Sequence, residues 1–211
     1  SDNFKAVGAL ADVYFERGFY RRARELFVQS VEMAQARGRA SGQGGFIDFD
    51  SPRLSIAKCD EALGDFAAAK KAYDALEAAH PRWKRLLYNQ VLLALRQLDF
   101  EGALQQVTRI RALLGPDDAV LTTLEAAVHK AQRDVAQLPA LDGPLTPRQR
   151  GAWLELFDEH GALALARKMA LEQLTDPAIT PDERERAAGY LAFRGEEREA
   201  RLALEQLSEP R

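Results

Sequence analysis

The stretch 82–96 holds the most usable chemistry in the chain. Arg82, Lys84, Arg85 and Arg96 place four positive charges on it, with no Asp or Glu between positions 82 and 96. Tyr88 and Asn89 add an aromatic face and an amide among the cations. Guanidinium groups offer forked hydrogen bonds to a carboxylate, and a tyrosine ring gives an apolar group a plate to lie on. An acidic segment or a chain-terminal carboxylate would suit such a set. The same residues also suit a solvated basic helix paired with acidic neighbours.

Little else in the sequence has the spacing that catalysis needs. His80, His129 and His160 are far apart, and none has a second His or Cys at metal-ligand spacing. Glu125 and His129 share a helix face, which is an ordinary surface pairing. Gly42, Gly44 and Gly45 resemble a phosphate loop only in glycine content, because the Lys-Ser/Thr pair and the preceding strand are missing. Cys59 lies one position from a packing face and reads as a small core or boundary residue. No nucleophile, base and orienting group come together. The sequence therefore predicts no catalysis, no cofactor and no metal.

Composition narrows the partners. Of 211 residues, 46% are hydrophobic and 29% charged, the balance of a folded protein rich in Leu, Ala, Arg and Glu. That mixture favours helices. A formal charge of −3 gives no reason to expect nucleic acid or an anionic membrane as the main partner. No apolar run approaches the roughly 18 residues that span a bilayer, so a membrane enters only through missing parts or a partner. One cysteine excludes an internal disulfide and leaves cytoplasm and periplasm both open. Ser1 in place of Met suggests a soluble piece of a longer protein.

The elements that would position these side chains are short helices in pairs. Residues 3–17 carry Val7, Leu10, Ala11 and Tyr14 at helical spacing, and Gly18 ends them. A helix over 20–37 follows, with Ala23, Leu26, Phe27, Ser30 and Val31 on one face. Four glycines make 38–51 a loop, bearing Phe46, Ile47 and Phe49. Those apolar residues fold back, or form an arm that orders on a partner. Ser51-Pro52 reads as an N-cap and first helical residue. Helices over 52–63, 66–79, 82–97 and 100–114 follow, punctuated by Gly64, His80-Pro81, Leu98-Asp99 and Gly115-Pro116.

The later chain reads differently. Leu121, Leu124, Val128, Ala131, Val135 and Leu138 alternate steps of three and four, which is the seam of one helix over 117–138. That seam either caps the array or faces another chain. Two prolines and a glycine make 139–146 a linker. Thr146/Gln149 and Thr180/Glu183 are capping boxes opening helices at Pro147 and Pro181. Gly161 and Gly195 punctuate two further pairs, 147–174 and 181–208.

A fixed period joins these pieces. Ala57, Gly64, Phe66, Ala69 and Tyr73 recur 34 residues later as Val91, Leu98, Phe100, Ala103 and Val107. Ala11, Gly18, Tyr20, Ala23 and Phe27 form an earlier copy, displaced by 46 because the glycine loop adds 12 residues. Gly161 and Gly195 with Ala166 and Ala200 repeat the period of 34. The pattern resembles the tetratricopeptide repeat family. The fold it implies is an all-α solenoid of about five antiparallel helix pairs plus one long intervening helix. Three repeats fill 1–116, the helix 117–138 and the linker 139–146 follow, and two weaker pairs fill 147–211. Leu98 replaces a turn glycine and Val91 an alanine, departures typical of degenerate repeats.

The resemblance implies a function of binding. The first helix of each repeat lines a concave groove that holds a peptide or a partner helix. In that frame the lining residues are Lys5, Gly8, Asp12, Phe15 and Glu16, then Leu54, Ser55, Lys58, Glu61 and Ala62, then Arg85, Tyr88, Asn89, Leu92 and Arg96. Chaperone-binding members clamp two carboxylates with Lys and Asn in their first repeat. Gly8 and Asp12 stand at those positions here, so that role does not carry over. The expectation is a non-catalytic scaffold or adaptor for a protein or peptide, within a bacterial membrane-associated assembly such as exopolysaccharide synthesis or export. Alternatives are a polysaccharide-binding module using Phe15, Tyr88 and Trp83 as platforms, or a regulatory domain self-associating through 117–138.

Overall fold

A computed structural model of the chain describes residues 3–41, 49–141, 143–194, 200–202 and 205. Phe46, Ile47 and Gly195 lie outside these residues. The described residues form helices joined by turns and short loops, with no strand among them, and consecutive helices pack in adjacent pairs. They are α1 (Asn3–Glu16), α2 (Tyr20–Ser41), α3 (Asp50–Leu63), α4 (Phe66–Ala79), α5 (Lys84–Arg96), α6 (Phe100–Leu114), α7 (Ala119–Val135), α8 (Pro147–Glu159), α9 (Leu163–Thr175) and α10 (Pro181–Phe193).

The chain forms two compact units, Ser1–Leu86 and Leu87–Arg211. The first unit contains α1 to α4. Ala11, Ala23, Leu26, Phe27 and Cys59 are buried together, with Val7, Tyr14, Phe15 and Ile56 packed on them. Two clusters stand out among the described residues of the second unit. One joins Leu87, Val91 and Leu95 of α5 to Val107 and Ile110 of α6 and Val128 of α7. The other is built on Trp153, Phe157, Ala166, Met169 and Leu191.

The step of 34 from Gly64 to Leu98 has a counterpart in the backbone. Gly18, Gly64 and Gly161 turn the chain with φ of 83°, 90° and 67°. Leu98 holds the same left-handed conformation at φ 60°, the only non-glycine among the described residues to do so. Such a turn ends one helix and lets the next fold back against it. Asp65 and Asp99 then cap α4 and α6, accepting from the amides of Ala68 at 3.0 Å and Gly102 at 2.9 Å. The small or apolar residues at matching positions, Ala11, Ala57 and Val91, are fully buried. So are Ala23, Ala69 and Ala103.

Several boundaries differ from expectation. α2 continues to Ser41, four residues past the expected end, because Gly38 packs inward as a buried helical residue. α3 begins at Asp50, so Ser51 lies inside the helix, and the N-cap is Phe49 with no side-chain hydrogen bond. α5 starts at Lys84 because His80–Trp83 forms a turn, closed by the Trp83 amide donating to the His80 carbonyl at 3.0 Å. α7 is shorter than 117–138. Asp118 caps it by accepting from the Val120 and Leu121 amides.

The seam of α7 faces into its own unit. Leu121, Val128 and Ala131 are buried and Leu124 packs beside them, while Val135 and Leu138 pack against the Trp153 cluster. The segment expected as a linker is anchored to α8. Trp153 Nε1 donates to the Pro139 carbonyl at 3.0 Å, and Arg150 donates to the Leu145 carbonyl at 3.1 Å. Both capping boxes form, with Gln149 Oε1 accepting from the Thr146 amide at 2.8 Å and Glu183 Oε2 from the Thr180 amide at 3.0 Å.

Candidate partner-binding site

The first unit brings five of the expected groove residues to one place. Asp12, Phe15 and Glu16 come from the last turns of α1, Lys58 from α3 and Arg85 from the first turn of α5. Spacings of three and four on α1 put Asp12, Phe15 and Glu16 on one face. The Lys58 ammonium lies 4.6 Å from the centroid of the Phe15 ring, a cation–π contact. Phe15 in turn meets Tyr20 edge-to-face at 5.2 Å. Lys5 is exposed one helical turn and more upstream on α1.

Charge at this place is mixed. The Asp12 carboxyl is held above its ordinary value, first by loss of water around it and then by the charge of Glu16. Arg85 and Lys58 pull in the opposite direction. Asp12, beside Glu16 on α1, therefore lies near two cations from α3 and α5, and one of them, Lys58, rests on the Phe15 ring. Such a surface can take a segment carrying both signs of charge around one apolar group.

Other expected members are placed differently. Gly8 faces α2, where a Cβ added to it would stand 3.2 Å from Ser30 Oγ. Leu54 is buried. Glu61 is also buried, and its carboxylate accepts a hydrogen bond from Tyr73 Oη at 2.8 Å. Helix α3 packs between α2 and α4, which leaves it too narrow an outer face to carry Glu61. In the second unit Asn89 is buried as well. Tyr88 donates to Asp118 Oδ2 at 2.7 Å, and Leu92 packs on the α5–α6 cluster. Arg96 reaches Gly161, with Nε 3.6 Å from where a Cβ there would sit. Of the basic stretch 82–96, Arg82, Lys84 and Arg85 are exposed.

Two groupings escaped the sequence pattern because their members come from separate elements. Asp134, Glu159 and His160 place one possible ligand atom each within 4.8 Å of one another. Lys130 Nζ lies between the carboxylates, 2.8 Å from Asp134 and 2.6 Å from Glu159, and so supplies the cation they need. His160 Nε2 lies 2.9 Å from Asp134, and the network ties α7 to the end of α8. In the first unit, His80 Nε2 lies 2.6 Å from Asp50 Oδ2 and joins the turn after α4 to the start of α3. The only sequence signal for either was a histidine at a helix end.

Cys59 is fully buried, and its thiol is pushed up to about 12, chiefly by loss of water and then by Asp60. It is a core residue without thiolate character. No helix among the described residues is long and apolar enough to cross a membrane. Compared with known proteins, the chain matches no family model and no curated protein.

Proposed function

We propose that the chain is a non-catalytic, tetratricopeptide-like scaffold that holds a segment of a partner protein against the first helices of its repeats. The convergence of Asp12, Phe15 and Glu16 with Lys58 and Arg85 carries this reading. Three consecutive first helices each contribute to one exposed surface, as a groove reading requires. The solenoid reading is supported by left-handed turns at Gly18, Gly64, Leu98 and Gly161, and by alanines buried at the repeat period. Stacked pairs of this kind share their apolar surface with neighbours and leave one face for ligands.

The binding face is narrower than the full set of residues named from the sequence. It consists of Lys5, Asp12, Phe15, Glu16, Lys58 and Arg85. A bound segment would set a cation against Asp12 and Glu16, and a carboxylate against Lys58 and Arg85. The test is capture of a partner from the source cell by wild-type protein and by a Lys58→Glu/Arg85→Glu variant. The expected result is loss of about tenfold or more in affinity, with capture kept by Arg201→Glu in the second unit. Equal capture by all three proteins would overturn the reading.

A further inference from the structure

Another concave feature lies at the turn between α4 and α5. A cavity of about 650 Å³ opens there, lined in part by Asp50, Ser51, His80, Pro81, Arg82 and Trp83. That volume falls within the range of roughly 300–1,000 Å³ common for small-ligand sites.

Its construction can be followed residue by residue. The His80 amide closes α4 on the Leu76 carbonyl at 2.9 Å. Pro81 suits the second position of a turn, and the Trp83 amide closes that turn on His80. Arg82 and Trp83 are thus presented by a constrained backbone. His80 meets the Trp83 ring edge-to-face at 5.9 Å, which fixes the plane of the indole. The same imidazole pairs with Asp50, holding the turn to α3.

The charge of the cavity follows from these pairings. Among its described lining residues Asp50 is the one carboxylate, and it already faces His80 at 2.6 Å and Arg53 at 3.3 Å. Arg82 makes no ion pair or hydrogen bond among the described residues, and neither does the Trp83 indole N–H. Two donors, one of them charged, therefore stand beside an aromatic face. Arg favours planar, two-point contact with carboxylates, and an indole offers both a stacking face and a donor.

We infer that this cavity binds a peptide carboxylate adjoining an apolar side chain. The carboxylate sits on Arg82, and the apolar group lies on Trp83. The carboxylate comes from a chain end or from an Asp or Glu side chain. This contact is separate from the surface of Asp12, Lys58 and Arg85, so each can fail without the other.

Tryptophan emission reads the site. Trp153, the other tryptophan, is buried and donates to Pro139. The probes are N-acetyl-phenylalanine, with a terminal carboxylate, and N-acetyl-Phe-Asp-amide, with a side-chain carboxylate. N-acetyl-phenylalanine amide, which has no carboxylate, is the control. The expected result is a saturable emission change with at least one of the acids, absent in Trp83→Phe. Binding should weaken by about tenfold in Arg82→Ala, and the amide should bind about tenfold more weakly than the acid. Arg82 is exposed, so its loss leaves folding intact. The Lys58→Glu/Arg85→Glu variant should keep the signal. The acid that binds identifies the carboxylate's source. Failure of both acids, equal binding of acid and amide, or unchanged binding by Arg82→Ala would overturn the inference.

Discussion

At Gly64 the chain adopts φ 90°, a conformation that an L side chain enters only with strain. Gly64→Ala should cost about 1–2 kcal/mol, read as a lower urea midpoint with an unchanged slope. An unchanged midpoint would mean that the turn relaxes. Leu98 shows that the fold can carry such a residue, because its side chain packs against the Trp153 cluster and offsets the strain. The sequence showed Leu98 only as a departure from the repeat. Its backbone state could be inferred from its register with Gly64, but its packing could not. Asp12 gives a prediction of opposite sign. Its carboxyl is held above the ordinary value, so its charge costs stability in the folded state at neutral pH. That contribution favours folding only below the unfolded value near 3.8, and it is lost as pH rises through the higher folded value. Asp12→Asn should therefore raise the urea midpoint slightly at pH 7 while weakening partner capture. Stability exchanged for binding is the behaviour of a functional residue. A lower midpoint would mark Asp12 as structural instead.

Between helices, the hydroxyl of Tyr88 joins α5 to the cap of α7. Asp118 accepts from Tyr88 Oη and from two amides of its own helix. Burial first, and then this hydrogen bond, pushes the Tyr88 hydroxyl up to about 12 from an ordinary value of 10.0. The folded protein therefore holds that proton longer than the unfolded chain does. The stabilisation is whole below pH 10 and is lost as pH climbs to about 12. Tyr88→Phe should lower stability at pH 7 by about 0.5–1.5 kcal/mol, the net worth of one hydrogen bond. Urea titrations at rising pH should show the gap between variant and wild type closing between pH 10 and 12. A gap that stayed constant would sink the assignment. This pairing also shows where sequence reading stopped. Helix period, turn glycines and capping boxes are local signals, and they located nearly every element. Tyr88 pairs with a residue 30 positions away, and Glu61 is buried by helices on both sides. A polar residue on a helix gives no local sign of which neighbour will cover it. Glu61 and Asn89 were thus expected at the surface and lie inside, whereas Asp12 and Arg85, expected there from register, are exposed and Lys58 is half-buried.

For the whole molecule, acid should act unevenly. Glu125, Asp134 and Glu183 are all held below the ordinary carboxylate range. The causes are hydrogen bonds from Arg111, from Lys130 and then His160, and from the Thr180 backbone and hydroxyl, respectively. A depressed folded value means the unfolded chain takes up the proton first. Each group then stabilises the fold above its unfolded value of 3.8 to 4.5, and that contribution disappears as pH falls through the lower folded value. All three lie in the second unit, at the Arg111 tie between α6 and α7, the Lys130 network and the α10 cap. Among the described residues the one carboxyl displaced upward, Asp12, lies in the first unit and gains from acid. As pH falls below about 4, amide exchange in α7, α8 and α10 should accelerate beyond its intrinsic change before exchange in α1 does. The measurement is hydrogen exchange read by mass spectrometry from pH 7 downward, corrected for intrinsic rates. Lys130→Ala should move the loss in α7 and α8 to higher pH, because Asp134 then keeps only His160. If α1 loosened first, or if Lys130→Ala left the order and onset unchanged, these ion pairs would not govern acid stability, and burial alone would have to explain it.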